Sequence, residues 1–591
     1  MLLAVAGSSR ADDTTTFETR QVDRALAARG LERDPAPHGK RVAFIRILRE
    51  EVFVGEELVL PIVLPKAAPT WPNAFHWLTE ESVVRRELLV REGEPFKADL
   101  VAESERNLRA LGILAVARIE AVRTANPDEV GLLVVTRDLW SLRLETGFAG
   151  AGDAYGVTTQ LIERNLFGRD KQLAVRWDAD AFAWSVGEVF IDGRVAGEKL
   201  TLVQSLDVIV NRGSGEAEGS QGLFTFGRPF YDLHQQFSWN VSASYSVSAI
   251  RRARGAQLSY VRRVDDRLQT CDPSEERCYG YTWDQRRGGA NASASYRVGR
   301  LYKQTFSLEL GFSDAIARPN AGTLIDNGPP GEAQRDILPR LRRQAYPKLA
   351  YALWLPRYAV LENLSTFGQR ESLRVGPDLS ASFAMPLEAF GSSSDSFVFS
   401  ASAGYVWSRA NALLEASLGA GTRLEDGRTV DQRLTGLARG ATPPWFLGRL
   451  VGIVSFLGQR RDSDNTLVTL GGDNGLRGYE VNAFFAEGGT RLRASAEYRS
   501  LPLELSSIHI GGVLFYDAGT VYNSLEDAQL EQAVGTGVRL LFPQFNRYPF
   551  RFDVGFPLRG GFAAGFSYGS DQGIALTATD DALGRVAVRP Q

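Results

Sequence analysis

The chain has 591 residues, a formal net charge of −3 and a pI near 6.0. That balance offers no basic surface for nucleic acid or anionic lipid. No run of about 18 apolar residues is present to form a transmembrane helix, but a membrane barrel stays open, because its strands alternate and average to a soluble-looking hydropathy.

Residues 1–40 read as a leader and linker. "MLLAVAGSSRADD" has a short apolar run and a small-residue Ser9-Arg10-Ala11 site but no basic start, so it reads either as a truncated signal or as a disordered tail. From Arg41 to Asp138 the pattern is mixed. "RVAFIRILREEVF" alternates as a strand does. "TEESVVRRELLV" has Thr79 as a candidate N-cap and helical spacing through Val83, Val84 and Leu88. "KADLVAESERNLRALG" places Leu100, Val101, Leu108 and Leu111 on one helix face, with Gly112 as its stop. Two strands follow, "LAVARIEAVRT" and "EVGLLVVTRD", split by Asn126-Pro127-Asp128. The expected order is β-α-α-β-β, with both helices on one face of a short sheet. A proline-rich insert, "LPKAAPTWPNAFHW", interrupts it.

Beyond Trp140 a period of two takes over. Phe237, Trp239, Val241, Ala243, Tyr245 and Val247 share one face, and serines and Asn240 take the other. The segments at 304–313, 492–500 and 549–558 repeat this. Serines and arginines on the polar side suit a wet lumen, and lipid would require the sheet to close on itself. The alternation therefore predicts a mid-sized, even-numbered transmembrane barrel over 139–591 with a polar C-terminal tail. "GPPGEAQRDILPRLRRQ" is expected in an outer loop. Cys271 and Cys278 in "CDPSEERC" suit a disulfide of an exported protein, and no metal site is expected.

Several ordered motifs then carry a resemblance. "LGGDNGLRGYE" resembles the Arg-Gly-Phe/Tyr motif of the BamA/TamA-like superfamily of outer-membrane assembly factors, also called bacterial surface antigen proteins. "IERNLFGRDKQLAVRWD", "GGVLFYDAGTVY", "AVGTGVRLLFP" and "FRFDVGFPL" are similar to further strands of that family, in the same order. Residues 41–138 resemble its POTRA module. The resemblance implies a sixteen-stranded antiparallel barrel in the bacterial outer membrane, preceded by one small β-α-α-β-β POTRA domain in the periplasm. It implies a loop latch, Leu476-Arg477-Gly478-Tyr479, in which Arg477 reaches Asp517 or Asp553 on the inner wall. Arginine can hold a carboxylate through two parallel hydrogen bonds, and lysine cannot.

The function so implied is insertion or translocation of proteins, or of lipids, through a weak barrel seam. Gly560, Gly561, Gly565 and Gly569 would weaken that seam. The expected partners are outer-membrane lipid and unfolded client proteins, with no cofactor. One POTRA and a polar tail depart from the family pattern. The competing reading is a passive pore, with Arg176, Arg493, Arg499 and Arg539 favouring anions, or a two-partner-secretion translocator. An enzyme is not expected. "GFSYG" at 565–569 matches an esterase pattern, but it lies in an alternating strand without the helix such an elbow needs.

Overall fold

The computed structural model describes residues 17–53, 71–151, 154–323, 337–339, 342–559 and 565–576, apart from single positions and pairs within these stretches. The leader at 1–16, the first half of the proline-rich insert, most of the "GPPGEAQRDILPRLRRQ" loop, Gly560, Gly561 and the tail from 577 lie outside the described residues.

The N-terminal unit is built on a three-stranded sheet of β1 (Arg41–Glu50), β2 (Leu114–Arg123) and β3 (Glu129–Asp138). β3 is central, parallel to β1 and antiparallel to β2. One face is covered by α2 (Glu81–Arg86) and α3 (Ala98–Ala110), through Val84 and Leu108 packed on Val42, Ile119 and Val130. A further helix, α1 (Phe17–Ala27), covers the other face with Val22 and Leu26 on Val116, Leu133 and Val135. That second cover explains why Leu132, Leu133, Val134 and Val135 are all buried: a strand enclosed on both faces reads as a continuous apolar run.

Twenty strands then form one closed antiparallel ring. They are β4 (Leu142–Ala151), β5 (Ala154–Glu163), β6 (Lys171–Ala179), β7 (Ala183–Asp192), β8 (Thr201–Asn211), β9 (Ala217–Arg228) and β10 (Phe237–Arg251). The ring continues with β11 (Thr282–Val298), β12 (Lys303–Arg318), β13 (Gln344–Trp354 with Arg357–Glu362), β14 (Arg370–Ala384), β15 (Ser396–Arg409) and β16 (Ala412–Glu425). It ends with β17 (Arg428–Ala441), β18 (Gly448–Arg460), β19 (Thr490–Ser500 with Leu503–Glu504), β20 (His509–Tyr522), β21 (Glu531–Leu541), β22 (Phe550–Pro557) and β23 (Gly565–Gly569). β13 and β19 are each interrupted at a Leu-Pro pair, Leu355-Pro356 and Leu501-Pro502, where proline supplies no N–H to the ladder.

The period of two sorts side chains as lipid and water demand. Phe306, Leu308, Leu310 and Phe312 of β12 are half exposed on the outer face. Inside, serines meet across strands, Ser295 with Ser307 at 2.7 Å and Ser380 with Ser402 at 2.8 Å. No described helix is long and apolar enough to cross a membrane.

Two expectations are corrected. The barrel has twenty strands, not sixteen. Tight hairpins make room for the extra strands. Ala410-Asn411 and Asp426-Gly427 are two-residue turns with positive φ throughout, the geometry that joins twisted strands most economically. The N-terminal unit, in turn, is not one small β-α-α-β-β domain standing apart. It includes α1, which falls in the stretch assigned to the linker, and it is joined tightly to the barrel rim.

That junction is polar and aromatic. Asp138 Oδ2 accepts from the Thr79 backbone N–H (2.7 Å) and hydroxyl (2.8 Å) and lies 2.9 Å from His76 Nε2. Asn165, in the turn after β5, donates to the Thr79 hydroxyl, and Glu80 N–H donates to Gly168 O. A β-carbon on Gly168 would sit 2.5 Å from Leu78 O, so the Asn165-Leu166-Phe167-Gly168 turn is shaped to receive the unit. Phe53, Trp140 and Phe545 form a ring cluster with centroids about 6 Å apart across the joint. Such pairs contribute about 0.5–1.5 kcal/mol each beyond their buried area.

Asp170, just after the same turn, is expected to make this joint pH-dependent. Burial pushes its carboxyl up to about 8, against Arg86 and with Glu87 adding; Arg194 and Asp192 also face it. A folded value above the unfolded one means that the docked state holds the proton. The stabilisation is fully present below about pH 4 and is lost as pH rises through about 8. Protease cleavage between the unit and the barrel is therefore expected to increase between pH 5 and pH 9. Asp170→Asn is expected to remove that dependence; an equally steep profile in the variant would exclude Asp170 as its source.

Candidate functional site

The loop between β18 and β19 folds into the lumen. Its arms, Leu467–Leu470 and Phe484–Glu487, pair as a short antiparallel ribbon. Between them Leu476 is fully buried and Arg477 is 7% exposed. Arg477 Nε and Nη2 donate to the two oxygens of Asp517 at 2.8 and 2.9 Å, the forked geometry. Its backbone N–H also donates to Asp517, at 3.1 Å. Nη1 donates to Glu497 at 2.7 Å and to Asp553 at 3.1 Å. The guanidinium carbon sits 3.6 Å above the centre of the Phe515 ring, a cation–π contact.

The wall groups come from three strands, Glu497 on β19, Phe515 and Asp517 on β20, and Asp553 on β22. Alternation turns all of them inward. Counter-charges complete the cluster: Arg499 pairs with Glu497 at 2.7 Å, and Arg539 and Arg551 pair with Asp553 at 2.6 and 3.2 Å. Asp517 has only Arg477 among the hydrogen-bond partners described here.

Gly478 has φ +99°, a left-handed conformation. It lies directly on the wall. A β-carbon there would come within 2.7 Å of the Gly555 carbonyl carbon, and one on Gly565 within 2.6 Å of Gly478 Cα. The Tyr479 hydroxyl donates to Gln532 O at 3.1 Å and lies 3.3 Å from Glu531, while its ring packs edge-on to Phe484.

The sequence-derived residues Arg477, Asp517 and Asp553 thus lie in one cluster. Of the glycines singled out for the seam, Gly565 lies under the loop and Gly569 ends β23, opposite Arg551. Glu497 was missed. Its signal was its place on the polar face of "LRASAEYRS", on the strand beside the one that carries Asp517. The arginines read as anion-attracting are largely neutralised, since Arg176 pairs with Asp207 at 2.6 Å in addition to the pairs above. Cys271 and Cys278 form a disulfide in the loop between β10 and β11.

The ring closes through few contacts. Among the described residues β23 pairs with β4 at three positions, Phe566–Gly150, Ser567–Ala149 and Tyr568–Phe148, whereas β4 pairs with β5 at ten. The residues described beyond β23 lie inside the lumen. Gln572 accepts from Arg539 Nε at 3.1 Å, Arg499 donates to Ile574 O at 2.6 Å, and Ile574 and Leu576 are buried with Leu361, Leu364 and Val451.

Comparison with known proteins yields one family match: residues 453–563 match the Omp85 superfamily domain. No curated protein matches the chain. Among solved structures it is similar to BamA from Haemophilus ducreyi lacking POTRA domains 1-3, at 12% identity over 90% of this chain and 85% of that one, TM-score 0.36. It is also similar to CdiB from Acinetobacter baumannii (9%, 90% and 74%, TM-score 0.43) and CdiB from Escherichia coli (10%, 90% and 77%, TM-score 0.40). Nothing further rests on likenesses at these scores. The matched segment holds β19 to β22, the Arg477 loop and all three of its carboxylate partners, so the part of the chain that is similar to the Omp85 superfamily domain is the part that builds this cluster.

Proposed function

We propose that the barrel assists insertion or translocation of proteins at the bacterial outer membrane through its β4–β23 seam, with the N-terminal unit on the periplasmic side. The observation that carries this reading is the closure through three residue pairs among the described residues. Among the described residues the β23-facing edge of β4 has no strand partner from Leu142 to Gly147. Unpaired N–H and C=O groups on such an edge can be satisfied by an incoming strand, and each added residue pair lowers the cost of exposing the edge to lipid. In this proposal Arg477 is a latch that fixes the loop and so sets the shape of the wall beside the seam. A passive pore fits less well, because the 467–487 loop and residues 572–576 both occupy the lumen. No catalytic role is proposed: Ser567 lies mid-strand and its hydroxyl accepts from Arg551 at 3.0 Å, which gives it no base.

The test is a reversible lock. In a Cys271→Ser/Cys278→Ser background, Ala149→Cys with Ser567→Cys places thiols on paired residues across the seam. Oxidation is expected to stop client insertion into liposomes containing the purified barrel, and reduction to restore it. Equal insertion in both states would rule out the seam as the route.

A further inference from the structure

A cavity of about 350 Å³ lies between α3 and the barrel rim, away from the latch and the seam. Five arginines line it, Arg106, Arg109, Arg297, Arg370 and Arg547, against three carboxylates, Glu103, Asp232 and Glu371. The cations outnumber the anions, and the anions are already engaged. Glu103 accepts the Leu233 N–H at 2.6 Å, and Asp232 accepts from the His234 and Gln235 N–H groups. Glu371 accepts the Leu364, Ser365 and Thr366 N–H groups and the Thr366 hydroxyl.

Arg106 and Arg297 are placed differently. Each lies over aromatic rings: Arg106 sits 4.3 Å from the centre of Tyr358, and Arg297 sits 3.5 Å from Phe230 and 5.4 Å from Trp354. Among the described residues neither has a carboxylate within ion-pair distance. Arg297 Nη1 reaches the Asp232 backbone oxygen at 3.4 Å, while its Nε is buried without an acceptor, as is that of Arg370. A stacked guanidinium has its faces covered and its N–H edge available, and that edge bonds oxyanions in a fork. A buried N–H group without an acceptor is costly, so an occupant bearing oxygens would be held.

We infer that this cavity is an oxyanion site, taking one phosphate or carboxylate group between the Arg106 and Arg297 guanidiniums. Its volume is at the lower end of ligand pockets, roughly 300–1,000 Å³, enough for a small charged group with its immediate attachment and too small for a lipid with its chains. The site stands independently of the seam.

The test uses the full chain in dodecylmaltoside micelles at fixed ionic strength, titrated calorimetrically with inorganic phosphate in one arm and triglutamate in the other. Saturable binding in either arm is expected, and the arm that binds identifies phosphate or carboxylate as the preferred group. Arg106→Gln with Arg297→Gln is expected to weaken binding at least about tenfold, because the fork to the anion is lost. Tyr358→Leu keeps both charges and removes one seat, and a smaller loss is expected. A readout on the unaltered chain guards against misfolded variants: saturating ligand should slow phenylglyoxal modification of Arg106 and Arg297, read by mass spectrometry. No binding in either arm, unchanged affinity in the double variant, or unprotected arginines would each overturn the site.

Discussion

Arg477→Ala is expected to destabilise the folded barrel by about 3–5 kcal/mol, the cost of leaving a buried charge without its partner. Burial decides the magnitude. An exposed pair would contribute only about 0–1 kcal/mol, but Asp517, Glu497 and Asp553 are 0, 1 and 2% exposed. Glu497 keeps Arg499, and Asp553 keeps Arg539 and Arg551. Asp517 alone is stranded, so the loss is concentrated there. Arg477→Lys should recover little, because an ammonium cannot fork onto both Asp517 oxygens or lie flat on Phe515. Arg477→Ala with Asp517→Ala should recover part of the loss by removing the stranded charge. Urea unfolding followed by heat-modifiable gel mobility reads all three. A midpoint for Arg477→Ala equal to that of the unaltered protein would show that the loop is not bound through this residue.

The second large effect is expected from a methyl group. Gly555→Ala would place a β-carbon 2.7 Å from the Arg477 carbonyl carbon and oxygen. These are backbone atoms and cannot rotate aside, so either the loop lifts or the wall bends. Overpacking of this kind costs about 1–3 kcal/mol, enough to raise trypsin cleavage after Arg477 on the order of tenfold. Gly156→Ala, at a barrel position where a β-carbon meets nothing within 4 Å, is the matched control and should be silent. If the two variants are cut at the same rate, the loop does not lie against β22 in solution.

The alternation made the barrel legible. Phe306, Leu308, Leu310 and Phe312 point outward as their spacing implies, because a pleated strand leaves no other choice. The latch residues were legible only through resemblance, since nothing in "GLRGYE" alone says what Arg477 touches. The strand number was not legible, because a period of two locates strands without saying how many close a ring. α1 was passed over because its partner surface, Val116 and Leu133, lies about a hundred residues away. The same holds for the junction, where Arg143 reaches Asn546 across 403 positions, and for the inward turn of Ile574 and Leu576. Contacts between distant segments leave no periodic trace in either one.

Twenty is an even number of passes, so the chain leaves β23 at the end of the ring where it entered β4. The 467–487 loop enters from the opposite end, and the two segments meet at the neighbouring wall residues Glu497 and Arg499. The conduit is therefore bolted from both doors. Under the proposed function, clearing the lumen would require both segments to move, one from each end.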